Sequence, residues 1–220
     1  MCCNYLNASA HHNSMTANFA EDITVRLAQQ GFCITPDFVD QPTRLALAEE
    51  AQQRWTQREF RAARIGTGNN LQTDTAIRGD SIAWIDHGAL SAAQAAYAAQ
   101  LEQLRLTLNR VLFLGAFDLE FHFAHYPIGA YYSKHLDQHT HTQARVVSCI
   151  LYLNQDWKVE DGGQLRLYLA SGDVERHVDV TPHGGTLVTF LSGSFYHEVL
   201  PAHRPRLSIA GWMRTRSDYL

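Results

Sequence analysis

The feature that most limits the fold of this chain is a change in its hydrophobic period. Residues 91–114 carry apolar side chains at helical spacing, whereas from about residue 118 apolar and polar side chains alternate with period two. These alternating segments are short and are separated by Gly, Asn, Asp and Pro. About seven or more strands at this spacing are typical of a β-sandwich or jelly roll.

The region before residue 115 is mainly helical in its pattern. Helices are predicted over 19–30 and 41–59 as well as 91–114, with a short strand at 32–39, a loop at 64–76 and a β-prone segment at 77–86. Residues 1–18 are polar or aperiodic and are predicted to be a disordered lead-in. We therefore expect an α+β protein with one domain, 19–220, in which helices at 19–114 support a jelly-roll (double-stranded β-helix) core at 115–215.

Composition excludes several classes of function. The formal net charge is -4 and no basic stripe is present, so nucleic-acid binding is not expected. No apolar run approaches the ~20 residues of a membrane helix, and the N-terminus lacks the pattern of a secretory signal. The four cysteines show no CxxC spacing, which favours a reducing compartment without disulfides. We expect a cytoplasmic monomer.

Twelve histidines direct attention to metal binding. His135 and Asp137 are two residues apart in a predicted strand, so both side chains should share one face. His197 follows the strand predicted at 185–191 and a turn, and it is the candidate third ligand. Two imidazoles and one carboxylate on one side of a metal suit iron(II) and leave open positions for other ligands. His139 and His141 continue the alternation, but we expect the strand to end after Asp137 and to leave them in a loop.

An anion-binding residue follows the third candidate ligand. Arg206 lies nine residues after His197 in a predicted strand. Arg206, Ser208, Ala210 and Trp212 share one face of that strand, and Leu207, Ile209 and Met213 share the other. An inward Arg and Ser beside a metal make poor core packing but suit a carboxylate, which predicts 2-oxoglutarate as a co-substrate.

Four motifs in order carry a resemblance to a known family: HLD (135–137), YLNQDW (152–157), DGGQLRLY (161–168) and HEVLPAHRPRLSIAGW (197–212). Together they resemble the prolyl 4-hydroxylase branch of the iron(II)- and 2-oxoglutarate-dependent oxygenases. The nearer likeness is to the hypoxia-inducible-factor prolyl hydroxylases and their bacterial relatives. The arginine nine residues after the second histidine and the segment IRGDSIAWI (77–85) carry that distinction, and the resemblance covers about residues 19–214.

The resemblance implies roles for further residues. Tyr126 would hydrogen-bond the co-substrate near the metal. Tyr152 would join Arg206 and Ser208 at the distal carboxylate. Trp212 would form a wall shared by the co-substrate and substrate pockets.

On the substrate side, the resemblance places Arg145 near the entrance. It places Arg78 and Asp80 at the base of a mobile loop, residues 64–76, that closes over a substrate peptide, with Trp84 beside them. The alternative is that Arg78 and Asp80 form only a surface salt bridge of little energetic weight.

The function implied by the resemblance is hydroxylation of a prolyl residue at C4 in a protein substrate, with release of succinate and CO₂. Iron(II), 2-oxoglutarate, O₂ and ascorbate (vitamin C) are the implied cofactors, and a protein of the translation machinery is the substrate suggested by analogy. Two alternatives stay open. One is the same chemistry on a free amino acid or small metabolite, and the other is a non-catalytic module that senses iron or 2-oxoglutarate.

Overall fold

The computed structural model describes residues 8–64, 74, 76–138, 143–169 and 176–216, with side chains from Phe19 onward. Within these ranges lie three α-helices: α1 (Ala8–Gln30), α2 (Gln41–Thr56) and α3 (Ala92–Leu112). None of the described helices is long and apolar enough to cross a membrane. The loop predicted at 64–76 falls largely outside the described residues, as do His139 and His141.

The first helix begins earlier than predicted. α1 starts at Ala8 rather than at Phe19, so much of the lead-in predicted for residues 1–18 belongs to a helix. The polar sequence gives no apolar stripe there, and a search for amphipathic periodicity therefore misses the extension. Ile23 and Leu27 anchor the packed end of the helix in the core, where both are almost fully buried.

The other two helices have side-chain caps at their N-termini. The Asp40 carboxylate accepts a hydrogen bond from the Thr43 amide at the start of α2. Ser91 and Gln94 form a reciprocal capping box at the start of α3. Both helices end slightly before their predicted limits, since α2 stops at Thr56 and α3 at Leu112.

Helix α3 buries leucines of the apolar pattern predicted over residues 91–114. Leu101, Leu104 and Leu108 are each at most 1% exposed. Val111, which the same spacing places on this apolar face, is 50% exposed. Spacing does not explain the difference, because Val111 lies only about 20° from Leu104 around the helix axis. Val111 lies instead in the last turn, one residue before the helix ends at Leu112.

Eleven strands are described, and they form two antiparallel sheets. In chain order they are β1 (Phe32–Thr35), β2 (Arg61–Ala62), β3 (Ser81–Trp84), β4 (Asp118–Tyr126), β5 (Tyr132–His135), β6 (Arg145–Tyr152), β7 (Leu165–Leu169), β8 (Arg176–Val180), β9 (Leu187–Leu191), β10 (His197–Val199) and β11 (Arg206–Arg214). The seven-stranded sheet has the order β1-β9-β6-β11-β4-β3-β2, and the four-stranded sheet has the order β5-β10-β7-β8.

Strands β4 to β11 therefore supply four strands to each sheet, as in a jelly roll. The N-terminal region was predicted as helical support, but it also extends the larger sheet with β1, β2 and β3. One apolar core fills the space between the helices and the larger sheet. A second apolar cluster lies between the two sheets, around Leu165, Leu167 and Val188. The candidate site opens beside this second cluster.

Candidate functional site

The three predicted metal ligands converge between the two sheets. His135 ends β5, His197 begins β10, and the two residues are register partners. Asp137 Oδ1 lies 3.6 Å from His135 Nε2, and Asp137 Oδ2 lies 3.6 Å from His197 Nε2. The candidate ligand atoms all lie within 4.8 Å of one another. Strand alternation was the wrong reason for this convergence, because β5 ends at His135 and a bend carries Asp137 inward.

Hydrogen bonds fix the ring orientation of both histidines. His135 Nδ1 lies 2.7 Å from the Ser133 carbonyl oxygen, and His197 Nδ1 lies 3.1 Å from that of Phe195. A carbonyl oxygen only accepts, so each Nδ1 carries the proton and each Nε2 keeps a lone pair. This arrangement is typical of histidines that bind metal through Nε2.

The charge states of these ligands suit a divalent cation. Burial lowers the pKa of His197 to about 4, so this imidazole is neutral near pH 7. Burial alone would raise the pKa of Asp137, but the two imidazoles and a 2.7 Å hydrogen bond from Ser148 hold it well below its usual range. Two imidazoles and an ionised carboxylate therefore face one point, which is the donor set that suits iron(II).

Arg206 is the second element of the site. Its side chain, at 1% exposure, is among the largest that are fully buried. No carboxylate pairs with it among the described residues. Its Nε donates to the Gly163 carbonyl oxygen at 2.9 Å, and Nη1 lies 3.3 Å from Ser208 Oγ. A buried cation without an anion is costly, so this guanidinium requires an anionic ligand.

Two tyrosines border the same guanidinium. Arg206 Cζ lies 4.9 Å from the ring centroid of Tyr126 and 5.1 Å from that of Tyr152. The hydroxyl of Tyr152 is buried without a conventional hydrogen-bond partner in the described part of the chain. Burial raises the pKa of Tyr152 to about 12, and it raises that of Tyr126 further, so both phenols stay protonated donors. Arg206, Ser208 and Tyr152 thus fit the distal carboxylate of 2-oxoglutarate.

One cavity of about 700 Å³ joins the metal ligands to Arg206. Every site residue predicted from the sequence lines it except Tyr152, whose ring lies against Arg206 just behind the wall. Apolar side chains, among them Ile150, Leu165 and Val199, complete the lining. Such a mainly apolar cavity with a few converging polar groups is the usual form of a small-ligand site.

Arg78 and Asp80 form a buried ion pair. Two 2.7 Å hydrogen bonds join the guanidinium to the carboxylate, and their side chains are 14% and 0% exposed. The alternative of an exposed surface pair is therefore wrong. Arg78 also lies over the ring of Tyr132 at 4.2 Å, and Tyr132 stacks on the ligand His135 at 3.6 Å. The pair thus supports the metal site through one aromatic ring.

Arg145 and Trp212 form a stacked unit at the other side of the cavity. Arg145 Cζ lies 3.4 Å from the Trp212 ring centroid, and the guanidinium is paired with Glu120 at 3.1 Å. Trp84 is 50% exposed at the cavity mouth. Its ring meets that of His122 edge-on at 4.9 Å.

Sequence reasoning missed four residues of this site: His122 in the cavity wall, Glu120 beside Arg145, Ser148 beside Asp137 and Tyr132 against His135. Three of them had a usable signal. Residues 122, 124 and 126 share one face of β4 by strand alternation. Because Tyr126 was predicted to face the co-substrate, His122 could have been predicted to face the same cavity. Glu120 lies on the same face. Ser148 shares a face of β6 with Ile150, which also lines the cavity.

Comparisons with known proteins agree with this geometry. Residues 121–214 match the family described as the 2OG-Fe(II) oxygenase superfamily. The structure resembles a prolyl-4-hydroxylase from Pseudomonas putida, with 44% identity, a TM-score of 0.80 and coverage of 90% of this chain and 99% of that one. It also resembles a prolyl hydroxylase from Trichoplax adhaerens, solved with a hypoxia inducible factor peptide fragment, at 25% identity, a TM-score of 0.82 and 92% coverage of each chain.

A curated human relative, Egl nine homolog 1, is 27% identical over 87% of this chain and 46% of its own length. The chain spans about half the length of the curated relatives that it matches. The match to the Pseudomonas putida enzyme, in contrast, covers almost the whole of both chains. From this match and the matched family region we conclude that the chain belongs to the prolyl 4-hydroxylase family of the 2OG-Fe(II) oxygenase superfamily.

Proposed function

We propose that this protein is an iron(II)- and 2-oxoglutarate-dependent dioxygenase that hydroxylates a prolyl residue of a protein substrate at C4. The observation that carries the proposal is Arg206, a fully buried cation without a carboxylate partner in the described chain, in one cavity with His135, Asp137 and His197. A metal site alone would fit many activities. The added anion site fits a dicarboxylic co-substrate that reaches from the metal to the guanidinium.

Bound together, iron(II) and 2-oxoglutarate supply the oxidation, in which O₂ is consumed, succinate and CO₂ are released, and a C–H bond becomes C–OH. The chain's own residues bind and orient. His135, Asp137 and His197 hold the metal. Arg206, Ser208 and Tyr152 bind the distal carboxylate, and the Tyr126 hydroxyl donates to the co-substrate nearer the metal. The apolar lining excludes water from the reacting atoms.

The substrate side of the proposal rests on the cavity mouth. Arg145, Trp84 and Trp212 would contact the substrate around the target ring, and the Arg78–Asp80 pair would hold the adjoining segment in place. The related prolyl hydroxylase from Trichoplax adhaerens was solved with a peptide fragment, which supports a protein rather than a metabolite as the substrate. We propose a protein of the translation machinery as that partner, a cytoplasmic location, a monomer, and ascorbate as a supporting reductant.

Turnover of 2-oxoglutarate tests the metal assignment. Purified protein with iron(II) should release succinate from 2-oxoglutarate, and His135→Ala should lower this release by at least about a hundredfold because one ligand is lost. His177→Ala, on exposed strand β8, is the matched control and should keep wild-type turnover. Wild-type turnover in the His135 variant would refute the assignment of the metal ligands.

Mass spectrometry of the host proteome tests the substrate. Proteins from cells with and without the gene would be searched for prolyl residues that carry an added oxygen only when the gene is present. Such a residue in a translation protein is the expected result. Oxidation of free amino acids alone would favour the metabolite alternative, and tight metal binding without any turnover would favour the sensor.

A further inference from the structure

His122 is a buried polar side chain to which the mechanism above gives no task. It lies in the middle of β4, is 3% exposed and lines the cavity. Its ring touches no metal ligand in the described chain. It lies instead between two indoles, with ring centroids 4.9 Å from Trp84 and 5.6 Å from Trp212. A polar residue at the centre of an aromatic wall is costly unless its hydrogen-bonding groups are used.

The hydrogen bonds of His122 leave one nitrogen available. His122 Nδ1 lies 3.2 Å from the carbonyl oxygen of Phe123, which can only accept, so Nδ1 carries the proton. Burial lowers the pKa of His122 to about 4, so the ring is neutral near pH 7. Nε2 is then an acceptor, and no donor in the described residues meets it.

Trp212 offers the complementary group. Its indole Nε1–H is buried and has no hydrogen-bond partner in the part of the chain that the structure describes. The Trp212 side chain is 9% exposed, lines the cavity, and is held in place by the Arg145 guanidinium stacked on its face. The wall therefore presents an unused acceptor and an unused donor on neighbouring rings.

An extended peptide residue matches this pair, because its N–H and C=O point to the same side of the chain. Proline itself has no N–H, so the nearest residues with both groups are the two on either side of the target. We infer that His122 and Trp212 recognise the backbone of the residue after the target proline, with His122 Nε2 accepting its N–H and the Trp212 indole donating to its C=O. This inference rests on the proposed function and adds that the substrate is a peptide chain continuing past the target.

A backbone ester tests the inference without changing any side chain. A blocked peptide library with one central proline would first be screened for hydroxylation by mass spectrometry. The best member would then be compared with its ester analogue, in which an oxygen replaces the N–H of the residue after proline. We expect kcat/KM to fall about tenfold for this ester, which is the effect of losing one buried hydrogen bond. An ester placed two residues further along the peptide should change kcat/KM little.

Variants of His122 test whether this residue causes the preference for the amide over the ester. In His122→Leu the amide peptide should fall to the level of the ester, and the tenfold preference should disappear. His122→Gln keeps an acceptor and should restore part of it, while Ile82→Leu, in the same cavity, should leave it unchanged. The preference is a ratio of two substrates on one protein, so a general loss of folding does not produce its disappearance.

The outcomes separate the inference from the function on which it rests. Hydroxylated peptides with equal rates for amide and ester, or a preference that survives in His122→Leu, would overturn the inference and leave the prolyl hydroxylase standing. Turnover of free L-proline but of no library peptide would overturn both the inference and the protein substrate. Absence of any hydroxylated product would overturn the proposed function itself.

Discussion

The polar residues of this site differ in how fully the protein itself satisfies their charge and hydrogen-bonding groups. Arg206 is an extreme case, since among the described residues its fully buried guanidinium donates to the Gly163 carbonyl oxygen and to the Ser208 hydroxyl. Neither partner neutralises its charge. An isolated buried charge is retained against its desolvation cost when a ligand supplies the opposite charge, which makes Arg206 more informative than a motif match.

Replacement of this guanidinium should be felt in co-substrate affinity. Arg206→Lys keeps the charge but loses the planar fork that binds a carboxylate with two hydrogen bonds. We expect the Kd of 2-oxoglutarate for the manganese-loaded protein to rise about tenfold or more, measured by calorimetry. Arg166→Lys is the control: Arg166 on β7 forms an exposed pair with Asp179 of β8, and this variant should bind like the wild type. Equal affinity in the Arg206 variant would show that the carboxylate lies elsewhere.

His122 makes a pH-dependent contribution to stability. Burial lowers its pKa from 6.5 to about 4, outweighing the charge of Asp80, which acts in the opposite direction, while the charges of Arg78 and Arg145 lower it further. On acidification, the unfolded chain therefore binds a proton at His122 at a higher pH than the folded chain does. The contribution of the neutral imidazole to the free energy of unfolding is complete above pH 6.5 and is lost as the pH falls toward 4.

Through His122, acidification from pH 7 to pH 5 should lower the free energy of unfolding by about 2 kcal/mol. Urea unfolding at both pH values should show that His122→Leu loses less stability on acidification than the wild type does. His177→Leu, on exposed strand β8, should lose as much as the wild type. An unchanged pH difference in His122→Leu would mean that this imidazole is not held neutral by burial.

At the level of elements, short strands and their ends position the chemistry. β5 and β10 are brief, and the metal ligands lie at the end of one and the start of the other. Beyond His135 the chain bends, which turns Asp137 toward the two imidazoles. Local alternation predicts which residues share a face inside a strand, but it does not say where the strand stops, because that depends on pairing with a distant strand.

Helix α3 depends on a cap that the sequence could have predicted. The Ser91 hydroxyl accepts from the Gln94 amide, and Gln94 also bonds Glu50 of α2 at 2.8 Å. Ser91→Ala should lower the free energy of unfolding by about 1 kcal/mol, measured by urea titration. Thr107→Ala, at a partly exposed interior position of the same helix, should have little effect or a slight stabilising one. An equal loss in both variants would argue against the cap.

For the whole molecule, the two sheets enclose the site between them, and the helical layer packs against the larger sheet. The larger sheet presents Arg206, Ser208, Trp212 and His122 on β11 and β4, and the smaller sheet presents His135 and His197. The metal and co-substrate would thus bridge the two sheets. Ligands that bind only the folded state raise its stability by mass action.

Ligand addition should therefore raise the Tm in two steps. Manganese(II) alone, and then 2-oxoglutarate with manganese(II), should each raise it, the second by about 5–10 °C at a hundredfold excess over Kd. In Arg206→Lys the metal step should persist and the 2-oxoglutarate step should shrink, which differential scanning calorimetry can resolve. A 2-oxoglutarate step of equal size without metal would contradict a shared site.

The sequence by itself determined the class of fold and the chemistry of the site. The switch from period 3.6 to period two predicted helices followed by a jelly roll, and His135, Asp137, His197 and Arg206 predicted the donor set and the anion site. These inferences depend only on local periodicity and residue type. Local patterns did not predict the early start of α1, because that segment lacks an amphipathic stripe. They also did not predict that β1 to β3 join the larger sheet, because this pairing depends on distant partners.

Only the tertiary structure decided how those residues meet. It showed that His135 pairs with His197 across β5 and β10, that a bend rather than a strand delivers Asp137, and that the Arg78–Asp80 pair is buried. It also isolated Arg206 from every carboxylate of the described chain and placed His122 in the cavity wall. Such facts arise from contacts between residues far apart in sequence, whose burial and pairing no local pattern encodes.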